Sequence, residues 1–112
     1  MNYKKHLSEP WFSLVKLKLK TVEGRLNKGD FSKMNVGDTI TFFNNDFDER
    51  EFTVKIKKIN HYKTFKKYLQ SETLKKTLPG FTNINSGLNV YFKYFTKEQE
   101  KQYNIVAIHF AT

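Results

Sequence analysis

Residues Phe52-Thr-Val-Lys-Ile-Lys-Lys-Ile59 alternate apolar and polar side chains. A period of two places Phe52, Val54 and Ile56 on one face of an extended strand and Thr53, Lys55 and Lys57 on the other. A strand that buries one face needs hydrogen-bonding partners on its edges and a layer against its apolar side. The chain must therefore supply further strands and something to pack on them. Three segments qualify as partners. Thr39 to Phe43 has Ile40 and Phe42 on one face, opened by the turn Asn35-Val36-Gly37-Asp38 and closed by Asn44-Asn45-Asp46. Tyr103 to Phe110 has Ile105, Ala107 and His109 on one face and Val106, Ile108 and Phe110 on the other, as a strand covered on both sides would. Thr21 to Leu26 is the third, followed by the turn Asn27-Lys28-Gly29-Asp30.

The remaining segments read as helices. Ser8-Glu9-Pro10 resembles a helix start, with Ser8 as cap and Pro10 in the first turn. Trp11, Leu14, Val15 and Lys18 then share a face. Val15, Leu17 and Leu19 alternate with Lys16, Lys18 and Lys20, so a helix passing into a strand near Leu19 is expected. Thr64 to Leu78 has helical spacing and is ended by Pro79-Gly80. Asn85 to Phe95 and Thr96 to Gln102 read as two further helices, the second with a Thr96-x-x-Gln99 capping box. The order is helix, strands, helices, strand: an α+β fold with a small mixed or closed sheet, in a single domain over residues 1–112.

Composition narrows the partners. Twenty Lys and Arg against 11 Asp and Glu leave a net charge of +9. Such a surface favours polyanions (RNA, DNA or an anionic membrane), although a chain this rich in Lys, Asn, Ile and Phe also matches what an A/T-rich genome encodes. The absence of cysteine removes disulfides, thiolate metal sites and thiol nucleophiles. The N-terminus Met1-Asn-Tyr-Lys-Lys-His6 has no apolar stretch of a signal peptide, and no apolar run approaches the ~20 residues that cross a bilayer. A cytoplasmic protein without membrane contact is expected, with no metal and no cofactor.

Chemistry concentrates in Lys20-Thr21-Val22-Glu23-Gly24-Arg25. On a strand Thr21, Glu23 and Arg25 share a face, ~7 Å apart from one to the next. Arginine grips a phosphate or base edge with two parallel hydrogen bonds, and glutamate accepts from an exocyclic amine. Lysine is a point charge, or a base where burial lowers its pKa. A plain Glu23–Arg25 ion pair is the simpler reading of the same spacing. Trp11, Tyr62 and Tyr91 can stack on a base or serve as core rings. Lys55, Lys57 and Lys63, with Lys58, Lys66 and Lys67, form either a phosphate-tracking patch or a solvated face. Among His6, His61 and His109 there is no paired ligand spacing; His61, beside Tyr62, is the one to test as acid or base.

From Leu7 to Ile108 the chain resembles the ASCH domain family of the PUA-like group. The resemblance rests on Glu9-Pro10-Trp11-Phe12, Lys20-Thr21-Val22-Glu23-Gly24-Arg25, Val36-Gly37-Asp38, His61-Tyr62-x-x-Phe65, Leu78-Pro79-Gly80, Tyr91 before Thr96-Lys97-Glu98, and Tyr103 to Ile108. It implies a small mixed β-barrel with helices packed around it and a cleft lined by Lys20, Glu23 and Arg25. It also implies a role in RNA binding, RNA metabolism or transcription, with N4-acetylcytidine hydrolysis or ribonuclease activity in some members. Two departures stand out. Family members often carry Gly two residues before the Lys, where this chain has Lys18. The acetylcytidine hydrolases are similar to Lys-x-x-Thr at this site, where this chain has Glu23, with Thr21 next to the lysine. Binding of RNA or a nucleoside is therefore the first expectation. The alternatives are an amidohydrolase using Lys20, Thr21 and Glu23, and a metal-independent ribonuclease using Lys20, His61 and Glu23.

Overall fold

The computed structural model describes residues 1–111. Five strands form one sheet in the order β1-β3-β4-β5-β2: β1 (Asn2–His6), β2 (Val22–Leu26), β3 (Thr39–Asn44), β4 (Arg50–Tyr62) and β5 (Ile105–Phe110). The β1/β3 pair is parallel and the other three are antiparallel. The helices are α1 (Trp11–Lys16), α2 (Phe65–Glu72), α3 (Leu74–Thr77), α4 (Ile84–Tyr91) and α5 (Lys97–Tyr103), with a 3-10 turn at Gly29–Ser32. The expected α+β class is found. A closed barrel is not, because the edge strands β1 and β2 do not pair. The Arg25 guanidinium bridges them by donating to the His6 carbonyl, 3.2 Å away.

The faces predicted for β5 separate two apolar clusters. Val106, Ile108 and Phe110 join Ile40, Phe42, Ile56, Phe12 and Val15 on one side. Ile105 and Ala107 join Val22, Phe65, Tyr68, Leu69 and Leu78 on the other. Strand β4 obeys its alternation up to Ile56 and then slips by one residue at a bulge between Ile56 and Lys58. A one-residue slip exchanges the faces of everything that follows. Ile59 thus returns to the first cluster, and Tyr62 turns toward the second, under α2.

Several local expectations change. Strand β1 is polar (Asn-Tyr-Lys-Lys-His) and carries no apolar signal of its own; it forms by pairing with β3. The helix expected over Thr64 to Leu78 breaks at Thr73, whose φ of 76° is a left-handed value that stops α2. Thr64 does cap α2, and the Thr96/Gln99 capping box on α5 is complete. On α1, Glu9 replaces Ser8 as the side-chain cap: its Oε1 accepts from the Ser13 N–H at 2.9 Å. The core residues of α1 are Phe12 and Val15, with Leu14 and Trp11 only partly buried.

Candidate functional site

Helix α1 ends in a turn that sets up the site. The Lys18 N–H donates to the Val15 carbonyl, and the Leu19 N–H donates to the Leu14 carbonyl. This is the paired hydrogen-bond pattern of a helix closed by a left-handed residue, and Lys18 has φ 64°. The position where the resemblance implied glycine is left-handed in this chain, at a cost of about 1 kcal/mol for a side chain with a Cβ. Two residues later Lys20 enters the interior, only 1% exposed.

The Lys20 ammonium donates to the Val22 carbonyl at 2.6 Å and to the Thr77 carbonyl, and lies 3.2 Å from Glu23 Oε1. Its Nζ sits 5.8 Å from the Trp11 ring centre. The other Glu23 oxygen accepts from Arg25 Nε at 3.0 Å. Arg25 rests its guanidinium over Phe31, 5.0 Å from the ring centre. Glu23, 6% exposed, is thus bracketed by two cations. Burial alone would raise its carboxyl, but Lys20 and Arg25 outweigh burial and hold it below its ordinary value of 4.5. Burial pushes the Lys20 ammonium the other way, below its ordinary value, against the opposing pull of Glu23.

Gly24 lies between these residues for a packing reason. A Cβ there would stand 2.4 Å from Cζ of Tyr68. The Tyr68 ring packs against this backbone, and its hydroxyl meets that of Tyr91 at 2.9 Å. Burial raises the pKa of both phenols, Tyr68 and Tyr91, so both stay neutral.

Above the triad a cleft of 370 Å³ opens. Lys20, Glu23, Gly24 and Arg25 form its floor, with Trp11 and Tyr91 at its walls as the sequence suggested. The structure adds His6, Leu7, Ser8, Leu78, Val90, Tyr94 and Phe95, of which His6 and Tyr94 are exposed. Pattern reading overlooked His6 because nothing near it has a period; it reaches the cleft through the β1/β3 pairing. Tyr94-Phe95, two rings just past the end of α4, was the one available signal.

Other expected site residues lie elsewhere. Thr21 precedes β2, its N–H bonded to the Lys76 carbonyl and its carbonyl to the Phe110 N–H, and it borders a different hollow. Its grouping with Glu23 and Arg25 on one face therefore fails at the first residue. His61 is exposed on β4 and does not line the cleft. Tyr62 is tied to Glu72, its hydroxyl 2.8 Å from Oε2, and also lies outside the cleft. Lys55, Lys57 and Lys63 are exposed, and none has a carboxylate partner among the described residues. No group of three His, Asp or Glu that could hold a metal occurs among the described residues. No helix there is long and apolar enough to cross a membrane.

Solved structures share this fold. The crystal structure of hypothetical protein PH0355 superposes with a TM-score of 0.89 at 34% identity, covering 98% of this chain and 97% of that one. The solution NMR structure of protein PF0455 from Pyrococcus furiosus superposes with a TM-score of 0.78 at 32% identity, covering 98% and 96%. A search of the curated proteins finds no match. The model of the ASCH domain matches residues 6–112, which includes β2 with its Lys20, Glu23 and Arg25, so the chain belongs to the ASCH domain family.

Proposed function

We propose that this chain is a single RNA-binding domain whose cleft receives a nucleoside unit of single-stranded RNA. The observation that carries the reading is the buried Lys20–Glu23–Arg25 triad at the floor of an aromatic-walled cleft. Its 370 Å³ falls within the roughly 300 to 1,000 Å³ of small-molecule sites. Glu23, kept ionised by its neighbours, offers an acceptor for a base amine, and Arg25, a quarter exposed, offers donors to a base edge or phosphate. Trp11, Tyr91, Tyr94 and Phe95 offer rings for the base, each such contact contributing about 1–3 kcal/mol. The net charge of +9 suits the rest of the strand. This supports a role in RNA metabolism or transcription, in the cytoplasm.

The amidohydrolase and ribonuclease readings draw less support. The Lys20 ammonium is engaged by two carbonyls and Glu23, which leaves it poorly placed as a base. Thr21 borders another hollow, and His61 is remote from the cleft lining. The test is a titration of cytidine monophosphate and of short single-stranded RNA, followed by Trp11 fluorescence. Affinity should fall with rising salt, and Arg25→Ala should weaken binding about tenfold or more, the loss of a charged hydrogen bond. Unchanged affinity in that variant removes Arg25 from the site. Release of cytidine from N4-acetylcytidine by the pure protein would put the hydrolase ahead of the binding domain.

A further inference from the structure

A second hollow, of 330 Å³, adjoins the cleft at Lys20. Its floor is apolar: Phe52 and Val54 from β4, and Phe110 from β5. Its collar is cationic: Lys16 and Lys18 from the end of α1, and Lys55 from β4, all exposed. No carboxylate lines it, and none of the three collar lysines has an ion-pair partner among the described residues.

Two residues tie this hollow to its surroundings. Lys20 is a wall common to the cleft and the hollow. Lys55 belongs both to the hollow and to a row on β4 and α2 in which Lys57, Lys58, Lys63, Lys66 and Lys67 follow with no Asp or Glu between Phe52 and Ser71. The run of lysines that begins at the hollow therefore continues along the chain to α2.

We infer that the hollow is a flanking-nucleotide subsite, so that the ligand of this domain is an extended single strand and not a free nucleoside. This rests on the reading of the cleft as a nucleoside site. The apolar floor takes the sugar or base face of the neighbouring nucleotide, and the collar takes its phosphate. A cationic collar without carboxylates matches a phosphodiester in charge, and an apolar floor between the lysines matches the one apolar surface an RNA strand offers. Specificity at this second position is low, because a lysine is a point charge without directional readout.

The experiment titrates the full chain with uridine monophosphate and with labelled oligouridylates of increasing length. Affinity should rise at least about tenfold from uridine monophosphate to the dimer, which adds the flanking nucleotide. The triple variant Lys16→Glu, Lys18→Glu, Lys55→Glu should lose that gain while keeping its affinity for uridine monophosphate. Its salt dependence should flatten by about 2 in logarithmic slope, three phosphate contacts at roughly 0.7 each. The matched reversal Lys93→Glu, Lys97→Glu, Lys101→Glu should keep most of the gain. Thermal unfolding checks that both variants fold. A dimer that binds no better than uridine monophosphate, or equal losses in the two triple variants, overturns the subsite and leaves the cleft reading intact. Binding of anionic phospholipid vesicles through Leu17 and Leu19, 67% and 58% exposed, without any gain on RNA, overturns it in favour of a lipid surface. If Arg25→Ala leaves uridine monophosphate binding unchanged while the octamer still depends on the collar, the cleft reading fails and the subsite stands.

Discussion

Two buried carboxylates in this molecule solve the same problem in different ways. Glu23 is bracketed by the cations Lys20 and Arg25 at the floor of an open cleft. Glu72, at the end of α2, is also 6% exposed, but its partners are mostly neutral. Its Oε2 accepts from Asn60 Nδ2 and the Tyr62 hydroxyl, each at 2.8 Å, and His109 Nε2 lies 2.9 Å from Oε1. For both groups burial raises the carboxyl pKa, and the partners more than reverse it. The difference lies in what remains free. Glu72 fastens α2 to β4 and β5 and lines neither the cleft nor the hollow. Glu23 and Arg25 keep a surface toward 370 Å³ of open space. Glu72, with its partners satisfied, is a fastening; Glu23, beside the cleft, is the carboxylate we propose as a binding group. Helix α2 serves both, with Tyr68 behind the cleft and Glu72 one turn further on.

The comparison breaks most readily at Glu23. Glu23→Ala strands Lys20 in the interior, and should cost about 3 kcal/mol in urea unfolding, as for other broken buried pairs. The double variant Lys20→Met/Glu23→Leu should recover most of that loss, since it removes the charges together. A loss below about 1 kcal/mol for the single variant would mean that the triad does not hold the fold together. Next, Gly24→Ala drives a Cβ into the buried Tyr68 ring and should destabilise by about 2 kcal/mol, breaking the hydrogen bond between the Tyr68 and Tyr91 hydroxyls. A neutral result would show that Tyr68 yields easily.

Glu72→Gln should cost about 1–2 kcal/mol at neutral pH without changing ligand affinity. The pH dependence has a definite sign. Glu72 holds its proton less tightly folded than unfolded, so its contribution is present above pH 4.5 and is lost as pH falls below that value. The deficit of Glu72→Gln relative to the parent should therefore shrink in acid unfolding at low pH, and a deficit that stays constant would contradict the assignment. The smallest effect should be Lys18→Gly, which relieves the left-handed φ and should stabilise by up to about 1 kcal/mol.

Much of this was legible in the residues themselves. The alternation of Phe52 to Ile56, the two-faced β5 and the Thr96/Gln99 box follow from local periodicity and local hydrogen bonding, and each is found in place. The Glu23 and Arg25 spacing likewise put a carboxylate and a cation on one face, and only the family resemblance added Lys20 to them. Those are short-range properties, set by the geometry of a few consecutive residues.

Tertiary structure decided the rest, and the reason is the same each time: the partner is distant in the chain. Strand β1 exists because β3 offers it an edge 37 residues away, as in the Asn2/Thr39 pair. His6 therefore enters the cleft and His61 does not. The bulge in β4 turns Asn60 and Tyr62 toward Glu72, which no pattern within β4 announces. Thr21 leaves the face of Glu23 and Arg25 because its backbone is claimed by Lys76 and Phe110. Sequence by itself determined which residues could carry charge into the interior. Only the packing of α2 against β2 and β5, and of α4 against α2, decided that one of the two buried carboxylates would face a cleft and the other would be sealed.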